Sequence, residues 1–201
     1  CTVFDKKRDS KMSETIQIPK GWIVKKISEI TKSYSGGTPS RSNSEYWENG
    51  TVPWLRSGDL KNNIITKAVE FISEKGLKES SAKLWPKNSV VVALTGANTG
   101  KTGILDFECC GNQSIVGILP NEMILSKYLW YYMQFSISYF WSKAIGGAQP
   151  HINGGIVSKR EIIFPSEKQT QKKIVQKLDD ILRQLEKKKK EIFSIIEQNK
   201  Q

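Results

Sequence analysis

Hydrophobic positions in the middle of the chain form short runs separated by turn residues. NSVVVAL, Asn88–Leu94, is almost continuously apolar, a pattern that predicts a buried β-strand. The runs GILDFE (103–108) and QSIVGILP (113–120) predict two more strands. TVPWL (51–55) predicts another, in which Pro53 favours either a sheet edge or the first residues of the strand. Together these runs predict a small mixed or antiparallel β-sheet.

Other segments carry the helical period or an ambiguous pattern. Ser126–Ala144 predicts one helix, with Ser126 as its N-cap and Gly146-Gly147 at its end. Trp22–Tyr34 suits a short amphipathic helix or a strand followed by a turn, and IVSKREIIFP (156–165) predicts a strand. The apolar stripe of the predicted helix is Leu129, Met133, Ile137, Phe140, Trp141 and Ala144.

The C-terminal region, Glu167–Gln201, is charged and free of glycine and proline, and it predicts one long helix. Its apolar residues keep alternating three-and-four spacing, interrupted only at Lys189 within a lysine run. Such a helix either folds back on its own domain or forms a coiled coil with another chain, and we favour the partner helix. The predicted partner-facing residues are Val175, Leu178, Leu182, Leu185, Ile192 and Ile196.

Composition adds a strong basic balance. The 201 residues carry 31 Lys and Arg against 20 Asp and Glu, a formal charge of +11, which favours a polyanionic partner such as nucleic acid. Three cysteines, two of them adjacent, give neither a disulfide framework nor a zinc pattern. Apolar runs are too short for a membrane helix and no signal peptide is apparent, so we expect a soluble, cytoplasmic protein with no membrane partner.

The segment TGANTGKT, Thr95–Thr102, approaches a nucleotide-binding P-loop. Gly100-Lys101-Thr102 fits the end of that motif, but the opening glycine has moved to Gly96, one residue out of register. Because a strand is predicted directly afterwards, the helix N-terminus that holds phosphate would be missing. We therefore expect a tight connection between buried strands, with Asn98, Thr99, Lys101 and Thr102 exposed at its tip.

Polar, glycine-bearing loops are the remaining candidates for function. Gly36–Arg41, Arg56–Lys61 and Gly146–Asn153 offer amide, hydroxyl and guanidinium groups of the kinds that read base edges in the major groove. Catalysis by this chain is not expected, because His151 is the only histidine and no paired-carboxylate or metal motif is present. No cofactor or metal is predicted.

An ordered set of segments resembles one known family. These segments are GGTPSR, EYWENGTVPWLRSGDL, NSVVVALTGANTGKTGI, NQSIVGILP, GGAQPHIN and FPSEKQTQKKIVQKLDDI. In this order they resemble the target recognition domain and following conserved helix of type I restriction-modification specificity (S) subunits. The resemblance covers about Ile18 to Gln201. In the pattern that ends the domain, Lys168 stands where Glu is common.

The resemblance implies an α+β target recognition domain followed by one long C-terminal coiled-coil helix. It divides the chain into a polar N-terminal segment (1–17), a DNA-binding domain (18–165) and a helix for dimerisation, spacing and docking (166–201). The implied partners are double-stranded DNA, a modification (methyltransferase) subunit and a restriction subunit. Methyl transfer and nucleotide hydrolysis would belong to those subunits.

The residues predicted to contact DNA combine the loops with this resemblance. They are Thr38, Ser40, Arg41, Arg56, Ser57, Asp59, Lys61, Asn98, Thr99, Lys101, Gln149, His151 and Asn153.

One departure from the family concerns chain length. A typical S subunit carries two recognition domains, whereas this sequence has one, so it is a half-size subunit or a fragment. We expect two copies to pair in antiparallel fashion through Glu167–Gln201 and together to read a two-part, symmetric DNA target. The alternatives are an S-like coiled-coil adaptor or regulator without its own sequence readout and, more remotely, a P-loop-like NTPase.

Overall fold

A computed structural model describes residues 18–198 as an α+β unit with one long helix at its C-terminal end. The strands are β1 Trp22–Lys26, β2 Ser33–Ser35, β3 Val52–Leu55, β4 Asn63–Ile65, β5 Glu70–Ile72, β6 Val90–Ala93, β7 Thr102–Leu105, β8 Cys110–Gly111, β9 Ile115–Ile118 and β10 Glu161–Pro165. The helices are α1 Ile27–Ile30, α2 Glu74–Lys78, α3 Ser126–Phe135, α4 Ile137–Lys143, α5 Gly154–Ser158 and α6 Lys168–Gln198. Short 3-10 turns lie at Ser44–Tyr46, Ser57–Asp59 and Gly96–Asn98.

Three small sheets form the β structure. The central five-stranded sheet has the order β2-β9-β6-β7-β4, in which the β4–β7 pair is parallel and the other pairs are antiparallel. A three-stranded sheet has the order β5-β3-β8, and β1 pairs with β10. Every residue of β6, β7 and β9 is buried, so the continuously apolar runs in the sequence correspond to the middle of the central sheet.

Pro53 lies in the middle strand of the three-stranded sheet, opposite Phe71 of β5. It is the second residue of β3, ahead of Trp54, where pairing with β8 begins. The expectation of an edge strand is wrong, whereas the expectation that proline occupies the first residues is confirmed. Proline fits there because its missing N–H is not needed before the second partner strand starts.

The region 126–144 forms two helices rather than one. α3 and α4 meet at Ser136, a buried residue whose hydroxyl donates to Tyr132 O and accepts a hydrogen bond from Arg160 Nε. Ser126 is the first helical residue and not the N-cap, which is Leu125. The chain leaves α4 at Lys143, ahead of the predicted glycine stop.

Two further sequence expectations change. Trp141 is 45% exposed, so it does not continue the buried stripe that includes Met133 and Phe140. The first half of IVSKREIIFP belongs to helix α5, because the Asn153 side chain accepts a hydrogen bond from Ile156 N and caps a helix there. Only the second half forms strand β10. Trp22–Tyr34 contains a strand, a short helix and the start of a second strand, close to the strand-plus-turn alternative.

Helix α6 extends about 46 Å at the usual helical rise, and only its beginning packs on the domain. Ile174 and Val175 contact the main hydrophobic core. Val175 is therefore partly covered by its own domain, and Leu178 is likewise only partly exposed. From Ile181 to Gln198 every residue is exposed, including Leu182, Leu185, Ile192 and Ile196 of the predicted stripe, to which Phe193 and Ile195 are added. In the part of the chain that the structure describes, no helix is long and apolar enough to cross a membrane.

Candidate nucleic-acid interface

The segment Thr95–Lys101 is a short connection between strands β6 and β7. Gly96 and Gly100 take positive φ angles of 66° and 81°, a region that glycine adopts most readily because it has no Cβ. Gly100 N donates to Ala93 O and Lys101 N donates to Asn98 O, so the backbone folds back at once into β7. The expected tight connection between buried strands is confirmed.

The P-loop arrangement does not form in this segment. Lys101 is followed by strand β7 instead of a helix, and its ammonium donates to Asn98 Oδ1 at 2.8 Å. Thr102 is fully buried, with both its N–H and its hydroxyl directed to Asn62 Oδ1. A stack of helix N–H groups that could hold a phosphate chain is therefore missing after Lys101.

Thr99 is 1% exposed, so its predicted place at an exposed tip is wrong. Its hydroxyl donates to Pro150 O at 2.9 Å, and Gly96 N donates to the same oxygen at 2.8 Å. Thr102 is corrected in the same way, because it too is buried. Both threonines hold neighbouring loops in place, whereas the predicted contacts Asn98 and Lys101 are partly exposed.

The loop 145–153 lies against this connection. Ile145 and His151 exchange two backbone hydrogen bonds, and Ile152 N donates to Leu94 O at the end of β6. This small hairpin leaves the side chains of Gln149 and His151 exposed. Asn153 is exposed as well, although its amide oxygen already caps α5. Gln149 and His151 are therefore the freer of the predicted contacts in this loop.

The loop after β3 approaches from the other side. Asp59 Oδ2 accepts a hydrogen bond from Arg56 N at 2.8 Å, which closes the turn. A side chain added at Gly58 would lie 4.0 Å from Asn98 Nδ2, so the two loops are neighbours. Lys61 is exposed and Ser57 is partly exposed. Asp59 is used mainly to shape the turn, whereas the cationic side chains remain available.

Arg41 and Arg56 come together through a residue that sequence reasoning missed. Glu70 of β5 contacts Arg41 at 2.6 Å and Arg56 at 3.1 Å. The Arg41 guanidinium also lies 3.4 Å from the centre of the Trp47 ring. The loop Gly36–Arg41 is thereby joined to the loop that begins at Arg56, and the candidate loops form one connected surface.

The glycines of the GGTP segment serve packing. A Cβ at Gly36 would lie 2.1 Å from Gly111 O, and one at Gly37 would lie 2.3 Å from Ser81 Oγ. The predicted contacts that follow are more open: the Thr38 hydroxyl donates to Gln113 Oε1, and the Ser40 hydroxyl lies 2.8 Å from that of Ser42. Of these two candidates, Ser40 is the more exposed.

The described residues give little support for a nucleophilic cysteine or a metal site. Cys109 and Cys110 are buried, and burial raises the pKa of both thiols, that of Cys110 to about 12. Within residues 18–198 there is no group of three His, Cys, Asp or Glu side chains that could hold a metal ion. The surface offers hydrogen-bond donors and positive charge, which suit binding.

Comparison with known proteins decides the family. The model of the type I restriction modification DNA specificity domain matches residues 19–192. The chain belongs to this family. It is 32% identical over 187 residues to the type I restriction enzyme MjaIX specificity subunit of Methanocaldococcus jannaschii, covering 90% of this chain and 43% of the relative. It is 33% identical over 110 residues to the EcoR124I/EcoR124II specificity subunit of Escherichia coli, covering 53% of this chain and 27% of that relative.

Solved structures share the fold of this specificity domain. The HsdS subunit of Thermoanaerobacter tengcongensis superimposes with a TM-score of 0.64 at 19% identity, over 86% of this chain and 40% of that one. A type I restriction-modification system structure gives a TM-score of 0.66 at 20% identity, over 86% of this chain and 41% of that one. The chain spans less than half the length of the specificity subunits it matches.

Glu70, Gln171 and Asn62 are the residues of this specificity domain that the sequence did not single out. Glu70 pairs with two candidate arginines, Asn62 orders the entry to β7, and Gln171 fixes the start of α6. In the sequence, the only sign that Glu70 belongs to the site is a charged residue next to the aromatic Phe71, which is a weak signal. A glutamine in a helix full of polar residues gives no local signal that it is buried.

Proposed function

We propose that this chain reads one part of a two-part DNA target and directs modification and restriction subunits to it. The observation that carries the proposal is a series of contacts that links four polar loops on a strongly basic chain: Gly36–Arg41, Arg56–Lys61, Thr95–Lys101 and Gly146–Asn153. Loops held by a rigid sheet vary in side chains without loss of the fold, which suits a recognition surface. Membership of the specificity family supports the same role.

The exposed side chains divide by chemistry. Arg41, Arg56 and Gln149 are suited to base edges, because guanidinium groups pair with guanine and amides pair with adenine. Lys61 and Lys101 are suited to phosphates, which supply affinity and position without sequence information. Methyl transfer and cleavage are assigned to the partner subunits, and the chain itself is proposed to be non-catalytic.

Methylome sequencing tests this proposal. A host that carries this chain together with its modification subunit should acquire a new two-part methylated sequence. Replacing both Arg56 and Gln149 by alanine should change or abolish that sequence, because two base-reading groups are lost. An unchanged methylated sequence in the double variant would contradict the assignment of these residues. Modification activity with no defined sequence would instead favour the adaptor alternative.

The same proposal includes pairing of two copies through α6. The exposed apolar residues from Ile181 to Ile196 support it, because a helix with such a stripe is stabilised by a second helix. Pairing of identical units generates two-fold symmetry and thus two recognition surfaces. Leu185→Glu should shift the sedimentation coefficient from dimer to monomer, whereas the matched exposed change Lys188→Glu should leave it unaltered. A monomer in the parent chain at micromolar concentration would refute pairing.

A further inference from the structure

Glu70 occupies a central place between two candidate DNA-contacting arginines. It lies on β5 directly opposite Trp54 of β3, so its backbone belongs to a sheet and not to a mobile loop. Its Oε2 atom lies 2.6 Å from the Arg41 guanidinium, and its Oε1 atom lies 3.1 Å from that of Arg56. One carboxylate thus holds two cations, one on each oxygen.

The Arg41 side of this arrangement is also held by aromatic rings. Its guanidinium lies 3.4 Å from the centre of the Trp47 ring, a distance that gives a cation–π interaction. Trp47 meets Trp54 edge to face, with ring centres 5.2 Å apart. Trp54 is 2% exposed and its indole N–H donates to Gly37 O, so the stack is fixed to the core. The arginine therefore rests on a rigid support.

These contacts leave both arginines able to donate further hydrogen bonds. A guanidinium has five N–H donors. Arg41 uses one of them in a hydrogen bond to Glu70, and Arg56 meets Glu70 as an ion pair, so donors remain on both arginines. The side chains of Arg41 and Arg56 remain 55% and 53% exposed, while that of Glu70 is 24% exposed. The carboxylate is thus less exposed than either arginine, and both arginine side chains remain accessible.

We propose that Glu70 is a positioning residue that presents Arg41 and Arg56 as a fixed pair to guanine edges in the DNA target. The inference rests on the proposed DNA-reading function and deepens it. Arginine loses rotamer freedom when it binds, so side chains already held by Glu70 lose less on meeting DNA. Bidentate pairing with guanine O6 and N7 also needs a defined guanidinium plane. The Trp47 ring and Glu70 Oε2 orient the guanidinium of Arg41, and Glu70 Oε1 holds that of Arg56 beside it.

A role for Glu70 as a negative charge alone and a role in positioning the arginines predict opposite effects of its removal on DNA binding. A carboxylate on a surface that meets DNA repels phosphates, so its neutralisation should tighten binding to any sequence. If Glu70 positions the arginines, its neutralisation should weaken binding to the target and leave other sequences equally or more tightly bound. Measuring target and non-target binding together separates the two effects.

The test uses the full chain together with its modification subunit and a pool of randomised DNA duplexes, from which bound sequences are selected and sequenced. The parent chain should enrich a defined sequence. Glu70→Gln should lower the ratio of target to non-target affinity by about tenfold, within the range set by one good arginine–guanine pair. Glu70→Asp restores the charge but shortens the reach to two arginines, so it should recover the ratio only in part.

The matched control is Glu48→Gln, an equal change of charge at an exposed residue next to Trp47. Within residues 18–198, Glu48 makes no ion pair, so its replacement should leave the enriched sequence unchanged. An unchanged affinity ratio in Glu70→Gln, with the parent enriching a sequence, would overturn the inference and leave the proposed function standing. A parent chain that enriches no sequence would contradict the proposed function, and the inference would fail with it.

Discussion

The junction between the domain and α6 depends on one buried amide, and its replacement gives a sharp prediction. Gln171 is fully buried in the first turn of the helix. Its Nε2 group donates to Pro165 O at 2.8 Å and to Met123 O at 3.0 Å, and its Oε1 atom accepts from Leu125 N at 2.8 Å. The amide thus uses both donors and one acceptor to join β10, the loop before α3 and the start of α6.

The variant Gln171→Leu puts an apolar side chain of similar size in the same place and removes all three hydrogen bonds. A buried polar group left without a partner costs about 1–3 kcal/mol. The bond to Pro165 O is buried, so that carbonyl should bear the full cost, while water can reach part of the other two. The expected loss in the free energy of unfolding is therefore about 2–4 kcal/mol.

Urea unfolding followed by tryptophan fluorescence measures this loss. With a slope of about 2 kcal/mol per molar urea, the midpoint should fall by about 1–2 M. The control Gln176→Leu makes the same chemical change at an exposed position of α6 and should stay within about 0.5 kcal/mol of the parent. Equal midpoints for the two variants would refute the argument that Gln171 fastens the helix.

Two other substitutions test different parts of the structure. Gly36→Ala should lower the free energy of unfolding by about 1–3 kcal/mol, and the thermal midpoint with it, because the added Cβ would lie 2.1 Å from Gly111 O. The control Gly147→Ala should leave the thermal midpoint unchanged, because its added Cβ would meet no atom within 4 Å. Burial alone raises the pKa of Asp179, but hydrogen bonds from Lys127 and Tyr131 outweigh it and leave the pKa lowered. Its stabilising effect is therefore fully present above the unfolded pKa, about 4, and is lost as the pH falls through the lower folded pKa, so the stability gap between the parent and Asp179→Asn should be constant near neutral pH and shrink as the pH falls below about 4.

The buried strands of the central sheet were predictable because burial on both faces leaves a nearly continuous apolar run, whereas short, partly exposed strands such as β4 and β5 leave no such signal. Asn88–Leu94 gave β6 in this way, and Ile115–Ile118 lies within another such run. The break between α3 and α4 was not predictable, because helical spacing continues through Ser136. It is accompanied by a contact with Arg160, which lies 24 residues further along the chain. Helix α5 had a usable signal, since Asn153 before two glycines can cap a helix as well as form a turn.

The candidate surface was predictable loop by loop but not as a surface. Glycine and polar composition identified each segment as a loop. The contacts that bring these loops together, however, are made between residues far apart in the sequence. Thr99 and Pro150 are separated by 51 positions, and Arg41 and Glu70 by 29. Local sequence also does not show that Thr99 is turned inward while its neighbour Asn98 remains accessible. Hydroxyl side chains suit both DNA contact and internal hydrogen bonding, so type alone does not separate the two roles.

The division between inward and outward residues bears on how such a surface can vary. Thr99 and Thr102 join loops and strands by hydrogen bonds to backbone and amide groups, and they are buried. The side chains of Gln149 and His151 are exposed, and these two residues contribute only backbone hydrogen bonds to the hairpin. Exposed side chains can therefore be exchanged at little cost in stability, usually within about 0.5 kcal/mol. The arginine pair on Glu70 differs, because there the recognition chemistry and its support are side chains of one cluster that must change together.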